Sequence, residues 1–491
     1  GDALTDADFN VAIGVVALST DTLGSKSIAI GHNTLNSQNF TTATDTHNIA
    51  IGFQAGTGIT TGVQNTLIGG QAGDALTDSD FNVAVGYDAL SAETLGARNV
   101  AVGHEALASQ NSTTATTTYN TAVGMNAGRL VTTGTFNTLV GGLAGDALTT
   151  GQENAAFGYL ALSGDTLGSH SVAVGSYALQ AQNFTTATDS FNTAVGYAAG
   201  TAVTTGDRTT LVGGLAGDAI TTADGNTAVG YEALSGETGG ELSVAMGFRA
   251  LKAQNVGSGS NYNTAVGAQA GEAVTSGIQN VLIGGQAGDS VTTGAKNTLI
   301  GSEAGETITD GANNTIVGAE SDVADAGHDN CIVLGQAVTC VGSGNFTFGF
   351  STVDSNIGAG ATTITAPSDE RYKEEIADAS AGLSFINDLR PVTYKWKKEK
   401  DIPNTQRAYV EGSDKRVMNN YTNHGFIAQE VKAVIDAHPE IKDGFDMWQE
   451  DGADGRQRLG PSALIPVLVK AIQEQSALIT ALTDRITALE G

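Results

Sequence analysis

Gly14, Gly31, Gly52, Gly69, Gly86 and Gly103 each close a short motif, which reads NVAIG at 10, NIAIG at 48 and NVAVG at 82. Twelve further glycines carry the series to Gly318, mostly at every seventeenth position and occasionally at the twentieth or twenty-first. A longer period is superposed: Gly14, Gly86, Gly158 and Gly230 are evenly spaced, each four motifs after the last, and GDALT returns at Gly1, Gly73 and Gly145. A unit of this length is too short for a pair of helices and too long for a tight hairpin. The repeat therefore predicts the stacked coils of a parallel β-solenoid.

The two faces of each short strand differ in kind. Three residues before each glycine stands Thr, Val or Ile, with Ala155 the one exception, and one residue before it stands mostly Val or Ile, so one face is largely β-branched. The other face holds Asn, then Ala or Leu, then Gly. Both are small or apolar, the pattern of strands buried on two sides. One face can line the inside of the coil; the other needs a cover, and a second copy of the same chain is the simplest. Asn fills its position in 14 of 18 coils, with Ser27, Ser171, Thr209 and Ser243 in the rest, which predicts a polar ladder of one side chain per coil.

Composition divides the chain near residue 367. All six prolines lie at Pro367 or beyond, as do Trp396 and Trp448. Residues 1–367 hold seven basic and 31 acidic residues, a net −24, whereas the last 124 hold 16 and 21, a net −5. So acidic a surface repels phosphate, and neither nucleic acid nor an anionic membrane is expected as a partner. No apolar run of about 18 residues occurs, and no membrane insertion by a helix is expected. Gly1 lies inside a recurring motif, so the sequence reads as a piece of a longer chain. Cys331 and Cys340, the only cysteines, read as two small buried thiols whose redox state is left open. DALTDAD at 2 has the look of a calcium-binding repeat, but DALTTGQ at 146 loses the acids; no metal and no cofactor are expected.

The longer coils carry inserts, NFTTATD at 39, NSTTATT at 111, NFTTATD at 183 and NVGSGSN at 255, which read as a row of solvated surface loops. The repeats resemble the head of trimeric bacterial surface adhesins and the shafts of phage tail fibres. That resemblance covers roughly residues 1–350 and implies a trimeric β-roll.

Beyond the junction the residues read as a small α+β domain. ADASAGLSFINDL has helical spacing through Leu383, Ile386 and Leu389, PVTYKWK alternates as a strand, and HGFIAQEVKAVIDAH runs from a short strand into a helix. From Ser462 onward the pattern is a heptad: Ile465, Ile472, Ile479 and Ile486, with Leu468, Gln475, Leu482 and Leu489 three places after each. Such a seam predicts a coiled coil. Ile followed by Leu favours two strands, whereas the resemblance implies three, and three is the number expected.

Read alone, SDERYK at 368 is a helix start with Ser368 as N-cap and Asp369 and Glu370 in the first turn. SDERYKEEI, LRPVTYKWK, GFIAQEV and LGPSALIPVLVKAIQEQ together resemble the endosialidase-type intramolecular chaperone, a self-cleaving serine peptidase domain of phage tail spikes and fibres. By that resemblance Ser368 is the nucleophile, Lys373 its general base and Pro367–Ser368 the bond broken once the trimer has folded. A lysine made basic by burial can serve a serine hydroxyl without histidine. Asp369 and Arg371 are expected to hold the turn, and His424 is a further participant.

The domains expected are a repeat shaft at 1–318, a solenoid end and tip at 319–367, a chaperone and autopeptidase domain at 368–461 and a coiled-coil helix at 462–491. Taken together, the resemblances imply a phage tail fibre assembled in the host cytoplasm. It would be a homotrimer that meets a bacterial surface receptor, glycan or protein, and joins other virion tail proteins through a part preceding Gly1. At most one chemical activity is implied, a single-turnover autopeptidase. Two rivals stand beside it. A trimeric adhesin needs a membrane-anchoring β-barrel, and the last 124 residues show no such strands. A glycan-degrading tail spike needs paired carboxylates in a cleft, and the repeat disperses its acids.

Overall fold

The computed structural model describes residues 1–491 apart from Thr362, Ala366, Pro367, Asp443, Gly444, 451–454 and Gly491, and apart from the side chain of Tyr372. The chain forms two compact units, Gly1–Pro367 and Ser368–Gly491.

The first unit is a β-solenoid. Its short strands, eighteen of three residues and three of five, join one 21-stranded sheet that is parallel from coil to coil, closed by an antiparallel pairing of Phe346–Phe350 with Val353–Ile357. Each strand pairs with the strand one coil on in strict register, so Thr121, Ala122 and Val123 face Thr138, Leu139 and Val140. The central residue of each strand points inward. Ala29, Ala50, Leu67, Ala84 and their successors are fully buried and stack into one continuous core.

The asparagines form the expected ladder. Asn137 donates its N–H to Asn120 Oδ1 at 2.8 Å, its own Oδ1 accepts the N–H of Asn154 at 3.0 Å, and its Nδ2 donates to the Gly151 carbonyl at 2.9 Å. The same bonds run through Asn48, Asn65, Asn82 and Asn99 and again through Asn280, Asn297 and Asn314. Every one of these asparagines is buried, so each ladder bond meets a backbone group that water cannot reach. The glycine column is a steric requirement. Gly141 has φ +139°, and a Cβ there would stand 2.3 Å from the Gly158 carbonyl oxygen.

On the β-branched face Ile68, Ile283 and Val317 remain 37–38% exposed in the single chain. One expectation needs correction: the inserts are not loops alone. Thr44–Asp45, Thr116–Thr117, Thr188–Asp189 and Gly259–Ser260 each pair in parallel with a short strand of the preceding coil, while the rest of each insert stays at the surface. A fully buried carboxylate anchors each root. Asp21 Oδ1 accepts the N–H groups of Gly24 and Phe40, and its Oδ2 accepts from Gln38, whose carbonyl in turn holds Asn48. Glu93 with Gln110, Asp165 with Gln182 and Glu237 with Gln254 repeat the device once per four coils. A carboxyl group tolerates burial only when its oxygens are hydrogen-bonded in this way.

The second unit is small and mixed. Helices α1 (Leu383–Asp388), α2 (Ala428–Ala437) and α3 (Leu464–Glu490) surround a core of Phe385, Leu389, Val431, Ile435, Met447, Leu464 and Val467. The strand Val392–Tyr394 pairs antiparallel with Asn423–Gly425. Helix α3 reaches back to α1, where Glu474 Oε2 accepts the Leu383 N–H at 2.7 Å and supplies the cap that α1 lacks from its own side chains. Only the first turns of α3 enter the core. Ile472, Ile479, Leu482, Ile486 and Leu489 all stand exposed along its length.

Candidate functional site

Ser368, Asp369, Arg371 and Lys373 meet in one turn. Glu370–Tyr372 form a single 3₁₀ turn whose N-cap is Asp369, its carboxylate accepting the Arg371 N–H at 2.9 Å. The cap expected of Ser368 therefore belongs to the next residue. A second bond fixes it: the Arg371 guanidinium pairs with the same carboxylate, Nη2 to Oδ2 at 2.6 Å, and holds the Asp369 carboxyl below the usual carboxylate range. Asp369 and Arg371 thus occupy one another.

Relieved of capping, the Ser368 hydroxyl turns to the far end of the turn and accepts a hydrogen bond from Lys373 Nζ at 2.8 Å. Five residues of α-helix would separate the two side chains; a tight 3₁₀ turn ending at Lys373, whose N–H donates to the Glu370 carbonyl at 3.0 Å, brings them together. Both side chains are exposed. The burial that would make a lysine an effective base is not supplied by the single chain. Pro367, on the other side of the expected scissile bond, lies outside the described residues. His424 sits exposed on the strand opposite Thr393. Among the described residues no hydrogen bond or ion pair joins it to Ser368 or Lys373.

A further polar cluster lies at the end of α2. His438, at the C-terminal end of α2, is 8% exposed; its Nε2 lies 2.9 Å from Asp388 Oδ2 and its Nδ1 2.8 Å from Glu440 Oε1, with the Phe385 ring edge-on beneath it. Glu440 first, then Asp388, raise the imidazole pKa above its ordinary value. The clamp ties the end of α1 to the end of α2. Its sequence signal is faint, since Asp388 and His438 are 50 residues apart. A second tie joins the residues after α1 to the start of α2, Arg390 Nε to Glu430 Oε2 at 2.9 Å.

Residues 368–438 match the peptidase S74 family, described as the chaperone of endosialidase. The match begins at Ser368, the first residue of the second compact unit. The chain therefore carries an endosialidase-type chaperone domain behind a β-solenoid body. No curated protein and no solved structure matches it.

Proposed function

We propose that this chain is the shaft and tip of a bacteriophage tail fibre, a homotrimer whose folding is templated by the chaperone domain, which then severs itself at Pro367–Ser368. The observation that carries the reading is the coincidence of two borders: the chaperone match and the second compact unit both start at the residue whose hydroxyl is held by Lys373.

Two exposed surfaces support the trimer. The β-branched face of the solenoid runs uncovered from coil to coil, flanked by a column of exposed rings in which the Arg98 guanidinium stands 4.8 Å from the Phe81 ring centre and 5.9 Å from that of Tyr119. The heptad residues of α3 stand in solvent. A chain with no partner would rarely leave so long an apolar face open. Holding three chains together at the helices removes much of the entropy cost of starting a long-range parallel sheet.

In the cleavage step the Ser368 Oγ bonds to the Pro367 carbonyl carbon as Lys373 takes the hydroxyl proton. The C–N bond breaks, the proton passes to the departing Ser368 nitrogen, and water hydrolyses the ester left behind. Packing of neighbouring copies over this exposed turn supplies the dry surroundings that a lysine base needs, which couples cleavage to assembly. The fibre is a virion component, and its receptor is a bacterial surface glycan or protein met by residues 319–367 or the insert tips.

The test uses the full chain. Wild type should release a fragment beginning Ser-Asp-Glu-Arg, while Ser368→Ala, Lys373→Ala and Lys373→Arg should stay whole as folded trimers, arginine being unable to give up its proton. Because Asp369 is the cap, none of these variants should lose much stability. A wild-type trimer that remains a single band on a denaturing gel after prolonged incubation would show that this copy has kept the chaperone and lost the peptidase.

A further inference from the structure

The chain has two cysteines, and the fold brings them together at the end of the solenoid core. Cys331 stands where preceding coils place asparagine, and its N–H donates to Asn314 Oδ1 at 2.8 Å as the ladder requires. Its thiol also takes over the asparagine amide's other bond, with Sγ 3.5 Å from the Gly342 carbonyl oxygen. Cys340 reaches the same oxygen at 3.3 Å, so the two thiols converge on one carbonyl. Both are fully buried.

A thiol is a weak donor, and asparagine makes the same bond better in the coils below. What the ladder gains by exchanging it for cysteine is redox chemistry. The partner is the only other cysteine in the chain. Cys331 stands just before, and Cys340 within, the coil from Gly335 to Gly349, which is shorter than the regular repeat and ends in the strand that pairs antiparallel with Val353–Ile357. Burial and the neighbouring Cys340 push the Cys331 thiol up to about 12, so the packed dithiol is a poor nucleophile.

We propose that Cys331 and Cys340 are a redox staple, closing as an intrachain disulfide that locks the last coil of the solenoid. The reaction is exchange with a small-molecule disulfide. One cysteine attacks it, forming a mixed disulfide and releasing one small thiol; the second cysteine then attacks the first cysteine's sulfur and releases the other. The two cysteines are oxidised, the reagent is reduced, and the two cysteine protons end on the released thiols. Burial makes closure depend on opening of the end coil, so it proceeds before that coil packs or when it breathes.

The experiment incubates the full chain with glutathione and glutathione disulfide at graded ratios, with and without sub-denaturing urea, and then alkylates it in denaturant for intact mass and peptide mapping. Expected are a species lacking two hydrogens, a cross-linked peptide pair containing Cys331 and Cys340, faster closure in urea, and slower amide exchange across residues 331–349 in the closed form. Cys331→Asn, which restores the ladder residue, and Cys340→Ala should each abolish the redox dependence of that exchange. If Cys331→Asn does not fold, Cys340→Ala decides alone. The proposal is overturned if both thiols stay alkylatable after refolding in the most oxidising mixture, if each ends as a separate glutathione adduct, if the cross-link joins different copies, or if either variant keeps the redox-dependent exchange.

Discussion

Replacing Asn137 by alanine tests whether the ladder holds the solenoid or merely shapes its turns. The substitution removes the acceptor for the Asn154 N–H and the donor to the Gly151 carbonyl, both in a fully buried setting. Each orphaned group costs about 1–3 kcal/mol, so local opening of the two flanking coils should become easier by about 2–6 kcal/mol. At roughly 1.4 kcal/mol per tenfold, the Asn154 amide should exchange with deuterated water at least about 30-fold faster. Exchange is the right assay because coils of a solenoid open locally, and a global melting point would dilute the effect. Asn137→Thr should free the Asn154 amide as alanine does, since a threonine here turns its hydroxyl to the preceding rung. At Thr209, which occupies the same position naturally, the hydroxyl bonds Asn192 Oδ1 at 3.0 Å. Thr133→Ala, at an exposed site in the same coil, serves as the control and should change little. An Asn154 amide that exchanges at the wild-type rate in Asn137→Ala would refute the ladder as a source of stability.

The glycine column predicts a larger loss: Gly141→Ala places a methyl 2.3 Å from a backbone oxygen at a φ of +139°, and should yield chain that is insoluble or proteolysed between coils, as read by limited digestion. Ile479→Asp with Ile486→Asp should leave the shaft monomeric or insoluble by size-exclusion chromatography; both residues are about half exposed in the single chain, so the change costs the helix little by itself, and a normal yield of soluble trimer would remove the assembly role of α3. The His438 clamp predicts a pH dependence. Its folded pKa is raised above the unfolded value of about 6.5, so its contribution to stability is full below that pH and is lost as pH rises through the folded pKa. Thermal unfolding of the chaperone unit should show this slope in wild type and not in His438→Gln, and an unchanged slope in the variant would assign it to other groups.

Much of the architecture was legible because it is periodic. A glycine at every seventeenth position allows one kind of fold, and the short polar side chain kept at every ladder position already implied a bond repeated coil after coil. Local spacing likewise placed α1, α2 and the strand Val392–Tyr394, where apolar residues recur at the period of the element they form. The Ser368 and Lys373 pair could be named from motifs, but not its geometry. Whether the serine or its neighbour caps the turn is settled by which side chain Arg371 engages, and a difference of one residue is invisible to propensity.

What only the tertiary structure decided shares one cause: the deciding partner lies far away in sequence. Alternation separates two strand faces but cannot say which turns inward when both are apolar; closure of the coil chose the smaller alanine and leucine face, and left the branched one open. The residue before each ladder position adopts a left-handed backbone even as Phe81, Arg98, Tyr119 or Phe136, against a local preference of about 1–2 kcal/mol per residue, because the buried bonds on either side outweigh it. The carboxylates beneath the inserts, the His438 clamp and the meeting of Cys331 with Cys340 are decided in the same way. Each joins groups that become neighbours only when the chain has coiled or folded back, and composition alone places no two of them together.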